Sequence, residues 1–235
     1  MTLYQRLLKP ASTTGTAERI RASIGALLGI AVTGLISTLW LGSVNDLPLL
    51  IAPMGASAVL LFGVPASPLA QPWSIVGGNV VAALVGVTAA HWISAPLIAA
   101  AVAIGIALGV MSLLNCVHPP SGAVALTAVL GGPHVMALGY GFVLAPVGLN
   151  SLLLLGVAFA YNNATRRSYP HHAHAPVHPH PQMAPLMLEQ ADLDDVLADY
   201  GETLDISRDD LEVLFRELLG RMEQRAATAD DRRAA

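Results

Sequence analysis

Of 235 residues, 54% are hydrophobic and only 12% charged, with a mean hydropathy of +0.59, about half the charge of an ordinary soluble domain. The net charge of −4 says little as a mean, because the charges sit at the two ends of the chain. From Leu47 to Thr165 there are 119 residues without one Asp, Glu, Lys or Arg, where a soluble stretch would carry roughly 30. Such a run points away from a water-soluble enzyme and makes the lipid bilayer the first partner.

In chain order, a basic segment over residues 1–22 with Arg6, Lys9, Arg19 and Arg21 precedes the first apolar run, Ile24–Leu41. That run is longer than the apolar stretch of a cleaved signal peptide and further spans follow it, so it reads as a retained helix. Three more runs are long enough to cross: Ile75–Ile93, Leu97–Leu114 and Met136–Tyr161. Between them lie two shorter pieces interrupted by proline, Leu47–Phe62 at Pro53 and Val117–Leu130 at Pro119-Pro120. The transmembrane domain covers residues 23–165. Arginines before the first span and after the last, at Arg166 and Arg167, put both termini on the cytoplasmic side. That requires an even number of crossings, four or six. A bacterial inner membrane is the expected location.

Residues 166–185 hold His171, His172, His174, His178 and His180 among prolines, the composition of an extended linker. The ligand spacing names no metal. Over residues 186–226 the chain turns acidic, with 12 Asp or Glu against 4 Arg up to Arg225. Leu193, Leu197, Tyr200 and Leu204, then Leu211, Leu214, Phe215, Leu218, Leu219 and Met222, recur at helical spacing. Ser207-Arg208-Asp209-Asp210 resembles a capping box between them. A small cytoplasmic helical hairpin turning near Gly201-Glu202-Thr203 follows, with a disordered tail over 227–235. Two helices of this size bury little apolar surface alone, so their apolar faces are expected to dock elsewhere. The lone cysteine, Cys116, lies in the apolar region and reads as a packed small side chain.

One internal repeat stands out. Pro53-Met54-Gly55-Ala56-Ser57-Ala58 and Pro120-Ser121-Gly122-Ala123-Val124-Ala125 share Pro-x-Gly-Ala-x-Ala at an offset of 67, as do Gly42 and Gly109. The fold class is therefore all-α: a polytopic membrane bundle of two related halves, each a long span, a short Pro/Gly-broken element and a long span. Paired interrupted segments at corresponding positions point to a transporter's binding site. If each short piece crosses, the halves are inverted; if each re-enters, they are parallel.

Pro53 and Pro120 suit a helix start, the peptides before Pro119 and Pro120 are biased away from helix, and Gly55 and Gly122, each followed by alanine at Ala56 and Ala123, let a ligand approach the backbone. A helix starting inside the membrane presents first-turn N–H groups and about half an elementary positive charge, enough to attract an anion without Lys or Arg. Side chains available beside those ends are Ser57, Asn79, Asn115, His118, Ser121, Thr127 and Asn150. His118 leads, as the ionisable group at a predicted break within membrane depth. Small residues also pack helices in membranes, and that reading of the motifs stays open. No paired carboxylates and no nucleophile beside a base are evident in the apolar region, so no enzyme activity is expected.

At His118-Pro119-Pro120-Ser121-Gly122-Ala123 the chain resembles the HPP family of integral membrane proteins. The likeness extends to residues 53–62, to Pro65-Ala66-Ser67-Pro68-Leu69-Ala70-Gln71-Pro72 and to Gly77-Gly78, and covers roughly residues 20–163. It implies four or more transmembrane segments and, from plant and cyanobacterial relatives linked to nitrite, transport of a small inorganic anion. Many bacterial relatives carry a C-terminal pair of CBS modules that bind adenine nucleotides; this chain is similar to them through the acidic segment from Asp192 to about Arg225. The expectation is a permease, nitrite first, acting as a homo-oligomer without cofactor, metal or nucleic acid. The alternative is a non-transporting scaffold whose acidic helices recruit partners.

Overall fold

The computed structural model describes residues 15–41, 50–172, 190–200 and 205–234. The chain divides into two compact units, Met1–Pro65 with Leu69–Pro170, and Ala66–Pro68 with His171–Ala235. Among the described residues there is helix and no strand. Arg6, Lys9, Asp46, His174, His178, His180 and the Gly201-Glu202-Thr203 turn lie outside them.

The first unit holds α1 (Thr16–Leu41), α2 (Pro53–Gly63), α3 (Pro72–Trp92), α4 (Pro96–Leu113), α5 (Ser121–Leu130), α6 (Gly132–Leu138) and α7 (Leu149–Ala164). Proline occupies the first turn of α2, α3, α4 and α6, where its missing N–H is no loss. Four helices are long and apolar enough to cross a membrane: α1, α3, α4 and α7 with the turn before it. By helical rise α2 and α5 measure about 16 and 15 Å, half of a hydrocarbon core of about 30 Å.

One expected span is corrected. Met136–Tyr161 is broken: α6 ends at Gly139, whose φ is +50°, and one π-helical turn over Val143–Gly148 leads into α7. Ala145 in that turn has extended backbone (φ −142°, ψ 122°) ahead of Pro146, which has no N–H to carry the helix through. The first helix also starts earlier than expected, so that Glu18, Arg19 and Arg21 lie on it.

Side-chain bonds fix the direction of each element. Ile51 N–H donates to Asn150 Oδ1 (3.2 Å), and Asn150 Nδ2 donates to Ser37 Oγ (3.0 Å), so α2 begins at the level of late α1. At its other end Phe62 O accepts from Arg21 Nη2 (2.7 Å) and Leu61 O from Asn162 Nδ2 (3.0 Å), while Arg21 Nη1 donates to Asn162 Oδ1 (2.9 Å). Arg21 and Ser37 lie about 24 Å apart along α1 by helical rise, so α2 and α7 both run antiparallel to it. The Tyr169 hydroxyl donates to Ala70 O (2.7 Å), which places the start of α3 at the end where α7 finishes. Trp73 Nε1 donates to Leu114 O (3.0 Å), which brings α4 back to the same end. Ser121 Oγ donates to Asn79 Oδ1 (2.8 Å), and a Cβ on Gly86 would meet Ala128 Cβ at 2.7 Å, so α5 runs alongside α3. The chain therefore changes ends at α1, α2, α3, α4, α5 and α7. The halves α1–α2–α3 and α4–α5–α7 run in opposite senses, the inverted arrangement of the two that the repeat allowed.

The halves also interlock. The last helix of each half packs mainly on the other, α3 on α4 and α5, α7 on α1 and α2. Alanines fill the buried crossings, among them Ala82, Ala83, Ala99, Ala103, Ala125 and Ala128, and let backbones approach closely. Large apolar side chains such as Leu27, Leu35, Leu97 and Leu152 point outward, as they do where the solvent is lipid.

In the second unit, α8 (Gln190–Tyr200) and α9 (Arg208–Ala234) form the expected acidic helices, with Arg208 paired to Asp194 (2.8 Å). Ser207 caps α9, its Oγ accepting from Asp210 N–H (3.1 Å). The Asp210 carboxylate also lies 2.9 Å from His171 Nε2. Helix α9 continues to Ala234, past the end expected near Arg225 and through residues expected to be disordered.

Candidate functional site

The two short helices meet at one bond. His118 sits three residues before α5, in the Cys116–Pro120 run that follows α4, and its Nε2 lies 2.8 Å from Ser57 Oγ in the second turn of α2. Its Nδ1 lies 2.8 Å from Leu69 O. A carbonyl only accepts, so Nδ1 carries the proton, and in the neutral ring Nε2 accepts from the Ser57 hydroxyl. Folding thus puts a hydroxyl beside an imidazole that a third group orients, a pairing the sequence hides because the two lie 61 residues apart. Ser57 and His118 are both fully buried.

A second cluster adjoins the first. Asn79 Oδ1 accepts from Ser121 Oγ, and its Nδ2 donates to Ser151 Oγ (2.9 Å), which donates to Val147 O (2.8 Å). Gly78 joins the clusters: a Cβ there would come 2.8 Å from Cys116 O, 2.9 Å from His118 Cβ and 2.9 Å from Ser121 Oγ. Only glycine lets α3 approach the His118 run so closely. Asn150 forms a third site, with Ser37 and Ile51. All of Ser37, Asn79, Ser121, Asn150 and Ser151 are fully buried.

Of the other residues proposed from sequence, Pro53 and Pro120 are buried at the starts of α2 and α5, and Gly122 is half-buried. Gly55, Ala56, Asn115, Pro119 and Ala123 are exposed on the unit's surface, and Thr127 Oγ1 is spent on Ala123 O one turn back (2.7 Å). Ser37, Ser151 and the Leu69 carbonyl were missed. Ser151 follows Asn150 directly, and only its contact with Asn79 reveals its role.

The first-turn amides differ from expectation. Met54 and Gly55 N–H donate to Ile51 and Ala52 O, both at 3.0 Å. Ser121, Gly122 and Ala123 N–H donate to His118, Pro119 and Pro120 O at 2.9, 3.1 and 3.0 Å. Tight turns ahead of each helix take up the donors that were expected to be free, and the dipole of the helix end remains.

All charges described in this unit, Glu18, Arg19, Arg21, Arg166 and Arg167, gather at one end. Glu18 joins Arg21 (2.7 Å) and Arg167 (2.6 Å), tying the start of α1 to the chain just after α7. Tyr169, beyond α7, is buried, and burial pushes its phenol above the ordinary value. Among the described residues no group of three His, Cys, Asp or Glu gathers where it could hold a metal.

An uncharged helical core with its charges at one end and two inverted halves defines a polytopic integral membrane protein. The profile of the HPP transmembrane region matches residues 11–170, and the chain belongs to that family. Two transmembrane proteins of Dictyostelium discoideum are similar to it. One is 37% identical over 130 residues, 53% of this chain and 45% of that protein. The other is 38% identical over 126 residues, 52% of this chain and 40% of that protein. The chain thus spans less than half the length of either. No solved structure shows a significant match.

Proposed function

We propose that the protein is a permease for a small inorganic anion, nitrite first, and that the anion passes between the short helices α2 and α5. The observation that carries this reading is the Ser57–His118 bond, which joins the N-terminal parts of two short helices from opposite halves (2.8 Å). Inverted halves with broken elements at their interface suit alternating access, in which one half rocks against the other. With no cationic side chain between Leu47 and Thr165, two helix dipoles and neutral donors on Ser57, Asn79, His118 and Ser121 supply the attraction. In this reading the fully buried cluster is the closed state, and parting α2 from α5 frees the Ser57 hydroxyl for the anion. The arginine end faces the cytoplasm of a bacterial cell, and the protein works as a homo-oligomer.

The complete burial of the cluster also favours a second reading, a membrane scaffold in which these bonds only fix helices and the acidic α8 and α9 recruit partners. Proteoliposome flux of nitrite, nitrate, formate and chloride separates the two. Uptake of one anion that disappears in His118→Ala supports the permease. No uptake of any of the four overturns it and leaves the scaffold.

A further inference from the structure

The two halves differ in how the short helix is joined to the last long one. In the first half the chain from Val64 to Gln71 is tied down, with Gln71 Nε2 on Pro65 O (3.0 Å), Leu69 O on His118 (2.8 Å) and Ala70 O on Tyr169 (2.7 Å). In the second half the equivalent stretch contains α6, bent by 100° from α5. Its flanking glycines have left-handed backbone, Gly132 at φ +83° and Gly139 at φ +50°, conformations that glycine reaches without strain. Helix α6 covers a cavity of about 190 Å³ at the end away from the arginines, lined by Val87, Ala90 and His91 of α3, Ala128 of α5, and Val135 and Met136 of α6. Just beyond α6, Tyr140 OH meets Thr88 Oγ1 of α3 at 3.1 Å.

We propose that α6 is a hinged lid and that the cavity beneath it is the vestibule through which a small hydrated anion enters at the uncharged end; this rests on the permease reading. At about 30 Å³ for each water, the cavity has room for an anion of three or four heavy atoms with part of its hydration shell. His91 stands at its wall and brings a ring N–H donor to it. Ala128 lies about 10 Å along α5 from Ser121 by helical rise, so the cavity and the buried cluster share one short helix. The Thr88–Tyr140 pair is the strap that holds the lid down. Both residues are exposed on the unit's surface, and parting them is the first step of opening. The tied connection of the first half has no such freedom, which makes the uncharged end the one that opens first.

Thr88→Cys with Tyr140→Cys, in a Cys116→Ala background, places two thiols where a short reducible bis-methanethiosulfonate bridges the lid to α3. Bridging is expected to lower anion flux into proteoliposomes at least about tenfold, as locking a lid does, and reduction of the bridge to restore it. Flux unchanged by the bridge overturns the lid while leaving the permease standing. A third cysteine, Ala90→Cys, reads the lid without transport. Its labelling by a small hydrophilic thiol reagent is expected to slow several-fold once the bridge is in place. Unchanged labelling overturns the lid even in a protein that carries no anion. Slowed labelling in a protein that moves none of the four anions keeps a mobile lid and removes the permease and its vestibule.

Discussion

Asn79 and Asn150 hold the same register in the two halves. Asn79 is the eighth residue of the span Pro72–Trp92, and Asn150 is the eighth of Val143–Ala164. Each uses its Oδ1 to accept a bond from the start of the other half's short helix, Ser121 Oγ or Ile51 N–H, and its Nδ2 to reach a serine, Ser151 or Ser37. The pair therefore clamps α5 and α2 in equivalent ways, and the repeat visible at an offset of 67 continues at 71 once α6 has been inserted.

If both asparagines are clamps, Asn79→Ala and Asn150→Ala should each destabilise the membrane unit by about 1–2 kcal/mol, since each leaves buried donors and acceptors without a partner. Thermal unfolding in detergent measures this. A clear loss in one variant and none in the other would contradict their equivalence.

Ser57→Ala and His118→Ala remove the two sides of one bond. Under the permease reading each should lower nitrite uptake at least about tenfold, and the double variant should be little worse than the poorer single one, because residues sharing a bond are not additive. Independent, multiplying effects would mean that the two side chains act at separate places.

Gly78→Ala should destabilise by about 1–3 kcal/mol, the usual range for forcing extra volume into a packed core. Its Cβ would press on the Cys116 carbonyl, which cannot turn aside as a flexible side chain can. Gly55→Ala meets nothing within 4 Å and should stay within about 0.5 kcal/mol of the parent. Equal melting points for the two variants would argue against the close approach of α3 to the His118 run.

At the charged end, Arg21→Met strips the cap from Phe62 O, leaves Asn162 short of a donor and removes a partner of Glu18. With the Arg21 side chain only 11% exposed, a cost of about 2–4 kcal/mol follows. Arg167 is 52% exposed, and an ion pair in that setting contributes little, so Arg167→Met should melt near the parent. The reverse order would show that the ion pair, and not the helix cap, holds this end.

The Glu18–Arg167 ion pair requires the start of α1 and the end of α7 to share a side of the membrane. Single cysteines at Gly15 and His172 should therefore react together with an impermeant thiol reagent, either both in sealed vesicles or both only after lysis. Labelling from opposite sides would refute the six changes of end.

Several features were legible in the residues themselves. A run of 119 uncharged residues has only one compatible solvent, and proline followed by Gly-Ala marks a helix start wherever it occurs. Both are local properties of composition and backbone, so three of the long spans, the two short helices and their repeat follow without a fold. The His118 run was legible for the same reason, since consecutive prolines forbid helix there.

What the tertiary structure decided is which polar groups find each other. Ser57 meets His118 across 61 residues, and Arg21 reaches Asn162 across 141, separations that no local pattern encodes. The direction of the short helices was equally hidden, because periodicity is the same read upward or downward; the bonds at their two ends settle it. The break within Met136–Tyr161 also escaped, since an apolar run with Gly139 and Pro146 in it is compatible with a kinked helix. Only the left-handed backbone at Gly139 and the extended Ala145 ahead of Pro146 turn that kink into a separate element. Apolar pattern sets which segments leave water, and hydrogen bonds, expensive to leave unmade there, set how those segments are joined.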